Sequence, residues 1–249
     1  EQPYRYVHNL AFRGPQNLLV TWDPAHNPER RDAALRAGGQ AVHLGGPLAR
    51  SLVRPLMVTA ADSVAPGVLR LQLAPANGQP LPAWTAGAHI DVECGDTGLA
   101  RQYSLCGDLD DRNAWEIAVL HDPGSRGGSA RMHHFATPGS TMRDRGPRNH
   151  FRLAEGAQRL LLIAGGIGIT PILAMAQRAR QLGQDYQLHY SVSSRAHAAY
   201  LAQLQQLHGA RLPLHVSDEG SRCDFSTLLA QPDEATAIHA CGPLRLLGA

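Results

Sequence analysis

The apolar positions of this chain change their period partway along it. Between Arg54 and Phe151 they form short alternating runs at Leu56–Ala60, Val68–Leu73, His89–Glu93, Ala100–Leu105 and Trp115–His121, separated by Gly and Pro turns. Alternation of this kind predicts half-buried strands, and several at this spacing predict a small antiparallel barrel. From Leu160 onward the pattern is different. The stretch LLIAGGIGITPILAMA, Leu161–Ala176, has no charged side chain and packs three glycines into four positions. A membrane helix needs about 20 apolar residues, and this run is shorter and divided by Gly165, Gly166 and Pro171. It predicts a buried strand, Leu160–Ala164, then a tight glycine turn, then a helix with Thr170 as N-cap and Pro171 at its first position. Ile172, Leu173, Ala176, Ala179 and Leu182 recur at helical spacing, and Gly183 is placed to end the helix. A second strand is expected at Gln187–Val192. Together these make a β-α-β unit, which implies a parallel sheet with the glycine turn at its carboxyl edge.

Two further pieces complete the outline. Thr236–Ala240 reads as another apolar strand, and Leu18–Trp22, Pro28–Ala37 and Ala41–Leu44 read as a short β-α-β-like extension at the N-terminal end. The expected organisation is therefore an extension (1–50), an antiparallel β-barrel (51–153) and an α/β parallel-sheet domain (154–249).

Composition narrows the function classes. With 249 residues the chain has room for two cores, and its formal net charge of +2 argues against a broad nucleic-acid or membrane surface. The densest basic run, Arg143–Arg148, reads as a solvated strand or loop. The four cysteines, Cys94, Cys106, Cys223 and Cys241, are far apart and form neither a C-x-x-C pair nor an iron–sulfur run such as C-x4-C-x2-C. That usage suits a reduced, cytoplasmic protein. No apolar run follows Glu1, so no leader is expected. The 13 histidines include the adjacent pair His133-His134, which would lie about 100° apart on a helix and have no His or carboxylate at i+4. Asp108, Asp110 and Asp111 lack the spacing of a calcium loop. No metal ligands are expected.

Candidate chemistry sits in four short motifs. The glycine turn reads G-x-G-x-x-P through Gly166, Gly168 and Pro171. Glycines there let a backbone approach a diphosphate, and the free N–H groups at a helix start attract the anion. Packing alone would also explain the glycines. RQYSL, Arg101–Leu105, offers a cation, an aromatic face and a hydroxyl on a strand, or is simply an amphipathic strand. GSRGGS, Gly124–Ser129, is a second glycine loop before a helix, suited to a phosphate monoester with Arg126 adding charge, or an ordinary loop. ACGP, Ala240–Pro243, places Cys241 at a strand end, where a lone cysteine is commonly a small buried hydrophobe.

In this order and spacing the four motifs resemble the ferredoxin–NADP reductase superfamily, most closely its phthalate dioxygenase reductase-like, FMN-containing branch, over roughly Arg54–Ala249. The resemblance implies that the barrel binds flavin and the α/β domain binds nucleotide. Arg101, Tyr103 and Ser104 would hold the flavin. Ala118, Val119 and His121 would line the isoalloxazine edge, and Arg126, Gly127, Gly128 and Ser129 would take its phosphate. Gly166, Gly168 and Thr170 would face the diphosphate of the nicotinamide cofactor. Cys241, with Gly242 and Pro243, would sit near the reacting carbon, so that Cys241, Tyr103 and Ser104 are the expected catalytic group. Ser193, Ser194 and Arg195, after the second nucleotide strand, are placed to hold a 2′-phosphate.

The family passes hydride from a nicotinamide cofactor to flavin and releases the electrons singly. The implied cofactors are FMN (alternatively FAD) and NADH (alternatively NADPH). The implied partner is a terminal oxygenase or demethylase, reached directly or through a ferredoxin. Members of this branch usually carry a further plant-type [2Fe–2S] domain. The sequence given ends at LRLLGA, inside the helix expected after C-G-P, with no cluster-binding cysteine pattern. The resemblance therefore puts the cluster beyond Ala249 or on a partner. Two other readings stand beside this one, an FAD-containing reductase of another acceptor and a non-catalytic flavin-binding adaptor. All four motifs are intact, which a scaffold would not need.

Overall fold

The computed structural model describes residues 53–94, 100–124, 127–230, 235–243 and 246. The extension expected in residues 1–50 lies outside them, as does Arg126.

The alternating runs form six strands, β1 (Arg54–Ala65), β2 (Val68–Pro75), β3 (His89–Cys94), β4 (Ala100–Ser104), β5 (Trp115–Leu120) and β6 (Thr141–Arg148), all paired antiparallel in the order β4-β3-β6-β1-β2-β5. Leu105, just past β4, bridges Ile117 of β5, and the Cys106 N–H donates to the Glu116 carbonyl at 3.0 Å. The two outer strands therefore meet, and the sheet closes into a barrel. Inward positions of every second residue fill it, among them Leu56, Val58, Leu71, Leu73, Ile90, Val92, Trp115 and Ile117. A short helix, α1 (Gly128–Phe135), follows β5.

The strand that the periodicity does not announce is β6. In TMRDRGPR only Met142 and Asp144 turn inward, while Thr141, Arg143 and Arg145 are exposed. Its strand character comes from pairing with β1 on one side and β3 on the other. Asp144, with no exposed side chain, accepts hydrogen bonds from Nη1 of Arg54 at 3.2 and 3.4 Å. Burial still pushes its carboxyl up to about 6, with Arg54 opposing the rise.

The second half is a four-stranded parallel sheet in the order β10-β7-β8-β9. It comprises β7 (Arg159–Gly165), β8 (Asp185–Val192), β9 (Leu214–Val216) and β10 (Thr236–Cys241), with α2 (Ile169–Gln181) crossing from β7 to β8 and α3 (Leu201–His208) from β8 to β9. α4 (Phe225–Leu228) precedes β10. The first two turns of α2, Ile169 to Ala176, are buried all round, and with Ala179 they share one core with Leu160, Leu162 and Leu188 of the sheet. Gly183, at φ +67°, ends α2 as its glycine predicted. The start of α2 differs from the expectation. A 3-10 turn, Gly166–Gly168, leads directly into the helix, the capping position is Gly168, and Thr170 and Pro171 lie inside the first turn. The Thr170 hydroxyl donates to the Ile167 carbonyl at 3.1 Å and so cannot cap. Among the described residues no helix is long and apolar enough to cross a membrane.

The two sheets share one continuous core. A Cβ on Gly87, ahead of β3, would collide with the Phe151 carbonyl oxygen and lie 2.9 Å from Cε of Met175 on α2, so only glycine fits there. Across the same junction Sγ of barrel residue Cys106 lies 3.5 Å from the Tyr200 hydroxyl. Tyr200 adopts φ +62° at the start of α3.

Candidate functional site

The chain runs β7, β8, β9 in one direction and then returns to place β10 on the far side of β7. Strand order therefore reverses between β7 and β10, and the crevice at the carboxyl ends of these strands is where open α/β sheets receive ligands. The glycine turn and the ACGP segment both lie at this point. In the parallel register Cys241 pairs with Ala164, one residue before Gly165.

The two segments are packed to their limit. A Cβ on Gly168 would collide with the Cys241 carbonyl oxygen and lie 2.8 Å from the Gly242 nitrogen. A Cβ on Gly165 would lie 2.9 Å from Cδ of Pro243, and one on Gly242 3.1 Å from the Gly165 backbone. At Gly168 the obstacle is backbone closer than any real Cβ approaches, so glycine there is a steric requirement, whereas a side chain at Gly165 or Gly242 would require its neighbours to shift. Gly166 differs. It has φ +53° and nothing within 4 Å of where a Cβ would stand, so it borders open space. Cys241 is half-buried, and burial pushes its thiol up to about 11. It is a neutral, non-nucleophilic thiol at ordinary pH.

A cleft of about 510 Å³ opens beside the turn, bordered by Gly165, Gly166, Ser193, Ser221, Arg222 and Pro243. Ser191 also lines it, and its hydroxyl has no hydrogen-bond partner among the described residues. The residues expected at the end of β8 divide. Ser193 lines the cleft, whereas Ser194 Oγ is 2.7 Å from Nδ1 of His197, and Arg195 makes a two-pronged pair with Glu219 at 2.6 and 2.8 Å. Arg222 and Ser191 are cleft residues that the sequence did not single out. No period or spacing marks them, because it is the fold that brings the loop after β9 to the ends of β7 and β8.

On the barrel side, Arg101–Ser104 of RQYSL lie in β4, and Gly128 and Ser129, the last residues of GSRGGS, open α1. A Cβ on Gly128 would lie 2.8 Å from Nε and 3.3 Å from Cζ of Arg101, so the guanidinium lies across the first residue of α1. Nη1 of Arg101 donates to the Ala100 carbonyl at 2.9 Å. Gly127, in the left-handed conformation at φ +83°, has nothing within 4 Å of a Cβ position. Ser129 Oγ accepts from the Asp122 N–H at 3.0 Å, which ties the loop to the end of β5. Tyr103 is half-buried and Ser104 buried at the carboxyl end of β4. Ala118 and Val119 are buried in β5, and Nε2 of His133 on α1 is 2.8 Å from the Val119 carbonyl. His121, exposed, meets the His133 ring edge-on. β5 in turn lies against the 3-10 turn Gly166–Gly168. The four motifs are thereby drawn into two pairs, RQYSL with GSRGGS and AGGIGITP with ACGP, joined through β5.

No protein-family model matches the chain. Its similarity to individual proteins is strong. It is 44% identical over 198 residues to the putative toluene-4-sulfonate monooxygenase system reductase subunit TsaB2 of Comamonas testosteroni, which covers 78% of this chain and 62% of that one. Phthalate dioxygenase reductase, described as a modular structure for electron transfer from pyridine nucleotides to [2Fe-2S], superposes with a TM-score of 0.74 at 31% identity, covering 79% of this chain and 62% of that one. These reductases belong to the ferredoxin reductase superfamily, and the chain is similar to them over 78% and 79% of its length. A further solved structure, an intact type IV self-sufficient cytochrome P450 monooxygenase, matches at 46% identity with a TM-score of 0.78, over 91% of this chain and 29% of that one. The chain thus spans about three-fifths of the length of the curated superfamily relative described above. The antiparallel barrel followed by a parallel sheet is the architecture that the sequence predicted and that these superfamily members share.

Proposed function

We propose that residues 53–249 form the electron-input part of an oxygenase or demethylase system, binding FMN on the barrel and a pyridine nucleotide at the edge of the parallel sheet. The observation that carries this reading is the pairing of motifs. Arg101 lies on Gly128 beside an open glycine loop, and Cys241 lies on Gly168 beside an open cleft. Each pairing joins a glycine-bordered helix start, which suits phosphate, to a strand end, which suits a ring system. Gly127 and Gly166 both border open space, and Ser191 offers an unpartnered hydroxyl, so the residues present fit such ligands.

FMN, when bound, supplies two-electron acceptance from the nicotinamide and one-electron release. The chain's own contribution is binding and exclusion. Arg101 and the α1 start hold the flavin phosphate, with Arg126, Gly127, Gly128 and Ser129 in the loop. Gly166 and Gly168 admit the diphosphate. Cys241, a half-buried neutral thiol, fills the space beside the nicotinamide and helps to keep water out. Between the two nucleotides we favour NADPH over the NADH that the sequence led us to expect, because Arg222 stands in the cleft with Ser193 and Ser221 while Arg195 is held by Glu219. The cytoplasm is the compartment that suits three free thiols at Cys106, Cys223 and Cys241.

The test is the absorption spectrum of the purified chain, with mass identification of the released flavin and iron analysis. FMN that bleaches on adding NADPH or NADH without oxygen is the expected result. A colourless protein that takes up no flavin would overturn the reading.

For the electron acceptor a second arrangement has its own support. The similarity to the self-sufficient monooxygenase runs through more of this chain than the similarity to separate reductase subunits. In that arrangement the oxygenase is covalently joined, and no free ferredoxin is needed. The flanking reading frame separates the two: a haem domain in the same frame supports fusion, and a stop on both sides supports a separate partner carrying the [2Fe–2S] centre.

A further inference from the structure

Three side chains converge on the floor of the cleft from three different segments: His189 on β8, His215 on β9 and Cys223 in the stretch before α4. Nδ1 of His189 is 3.1 Å from Nε2 of His215, and Cys223 Sγ is 3.8 Å from the same Nδ1. All three donor atoms lie within 4.8 Å of one another. The tautomer of His189 follows from its other side. Gln187 Oε1 accepts from Nε2–H at 3.3 Å, which leaves the Nδ1 lone pair turned toward His215 and Cys223. A carbonyl-type partner on the far ring nitrogen is the usual support of a metal-binding histidine.

The spacing decides which ion fits. A tetrahedral zinc with bonds of about 2.0–2.1 Å to nitrogen and 2.3 Å to sulfur sets its ligand atoms about 3.3 Å (N···N) and 3.6 Å (N···S) apart. The observed 3.1 and 3.8 Å fall close to both, and the remaining edge, from His215 to Cys223, is no longer than 4.8 Å. Two imidazoles and a thiolate select a borderline-soft ion over calcium or magnesium, which require oxygen ligands. His189 is buried, while His215 and Cys223 line the cleft, so a fourth coordination position faces the open space. Nearby Asp224 is occupied elsewhere, accepting from the Thr227 N–H at 3.1 Å and from the Ser226 and Thr227 hydroxyls at 2.6 Å.

We propose that His189, His215 and Cys223 form a three-ligand site for a zinc-type divalent cation, with its fourth position open to the cleft. On binding, the Cys223 S–H bond breaks, sulfur bonds the metal and the proton leaves to solvent, while the His215 proton moves to its other ring nitrogen.

Cobalt is the probe. The chain as purified, stripped with chelator, is titrated with Co²⁺ and followed by difference spectroscopy. The expected result is one equivalent bound, with tetrahedral ligand-field bands and a sulfur-to-cobalt charge-transfer band, both abolished by added Zn²⁺. Cys223→Ser should lose the charge-transfer band, and His215→Ala should weaken binding by at least roughly tenfold. Absence of saturable one-to-one binding at micromolar Co²⁺ would overturn the proposal without recourse to any variant. So would a Cys223→Ser titration indistinguishable from the parent, which would mark adventitious histidine binding elsewhere.

Discussion

The guanidinium of Arg101 lies across Gly128, whose missing side chain leaves the space that Nε and Cζ occupy. The neighbour here is a side chain, from Cγ to Cζ, and not backbone, so a methyl group would move the arginine and leave the fold intact. Gly128→Ala is therefore expected to leave thermal stability near that of the parent while weakening FMN binding by about 1–2 kcal/mol. Arg101→Ala should cost about 2 kcal/mol, as for a charge-assisted contact left unpaired. Flavin release measured by fluorescence at a series of protein concentrations checks both. Equal affinities in all three proteins would remove Arg101 from the flavin site.

Gly168 faces backbone, which cannot step aside. Gly168→Val should separate Cys241 from the turn and abolish nucleotide binding, with partial loss of stability. Cys241→Ala should instead leave nucleotide affinity nearly unchanged and slow anaerobic flavin reduction by roughly tenfold, as expected when a reacting ring is less well positioned. Because the thiol stays protonated up to about 11, the parent's reduction rate should show no step from this residue between about pH 6 and 9. Stopped-flow reduction across that range would expose an ionising Cys241 directly.

The choice of nucleotide rests on Arg222. If it meets a 2′-phosphate, Arg222→Ala should lower the NADPH-to-NADH ratio of kcat/KM by roughly ten- to a hundredfold, the worth of a charge-assisted hydrogen bond. Glu219→Gln, which frees Arg195, should move the ratio the other way. A ratio unchanged by Arg222→Ala would return the assignment to NADH.

Asp144 gives a pH dependence of stability with a definite sign. Its carboxyl titrates at about 6 in the folded chain and near 4 when unfolded, so between these values the folded state holds the extra proton. Stability should fall as pH rises through this window, by at most ~3 kcal/mol, and level off above it. Glu116, also raised by burial, acts with the same sign, so the contribution of Asp144 is the difference between parent and Asp144→Asn. Urea unfolding at both ends of the window should show that difference. A variant with the parent's full slope would contradict the assignment.

How far the sequence disclosed these arrangements depended on whether the signal was local. The strand–turn–helix from Arg159 to Gln181 was legible because its apolar period and glycines lie within one stretch. β6 was not, since the partners that make it a strand are far away in the chain. Thr170 shows a local rule overridden: the 3-10 turn starts the helix early and turns the hydroxyl back onto Ile167. The His189, His215 and Cys223 cluster follows no metal-ligand spacing; the β8–β9 register, with Ser191 opposite His215, and the return of the chain before α4 bring it together. Arg101 and Gly128 were each visible as motif residues, but their contact was not.

The position of β10 also orders events in time. β7, β8 and β9 pair in sequence, each a single crossover apart, whereas β10 must find β7 across the whole of the intervening chain. Such long-range parallel pairing is slow, because loop entropy is lost before the contacts form. The crevice acquires its Cys241–Pro243 wall only at that step. A newly made chain would thus pass through a state in which the barrel and the first three strands are in place but the nucleotide edge is still one-sided. Nucleotide would then act on folding as a late clamp, holding the last strand without speeding the earlier ones.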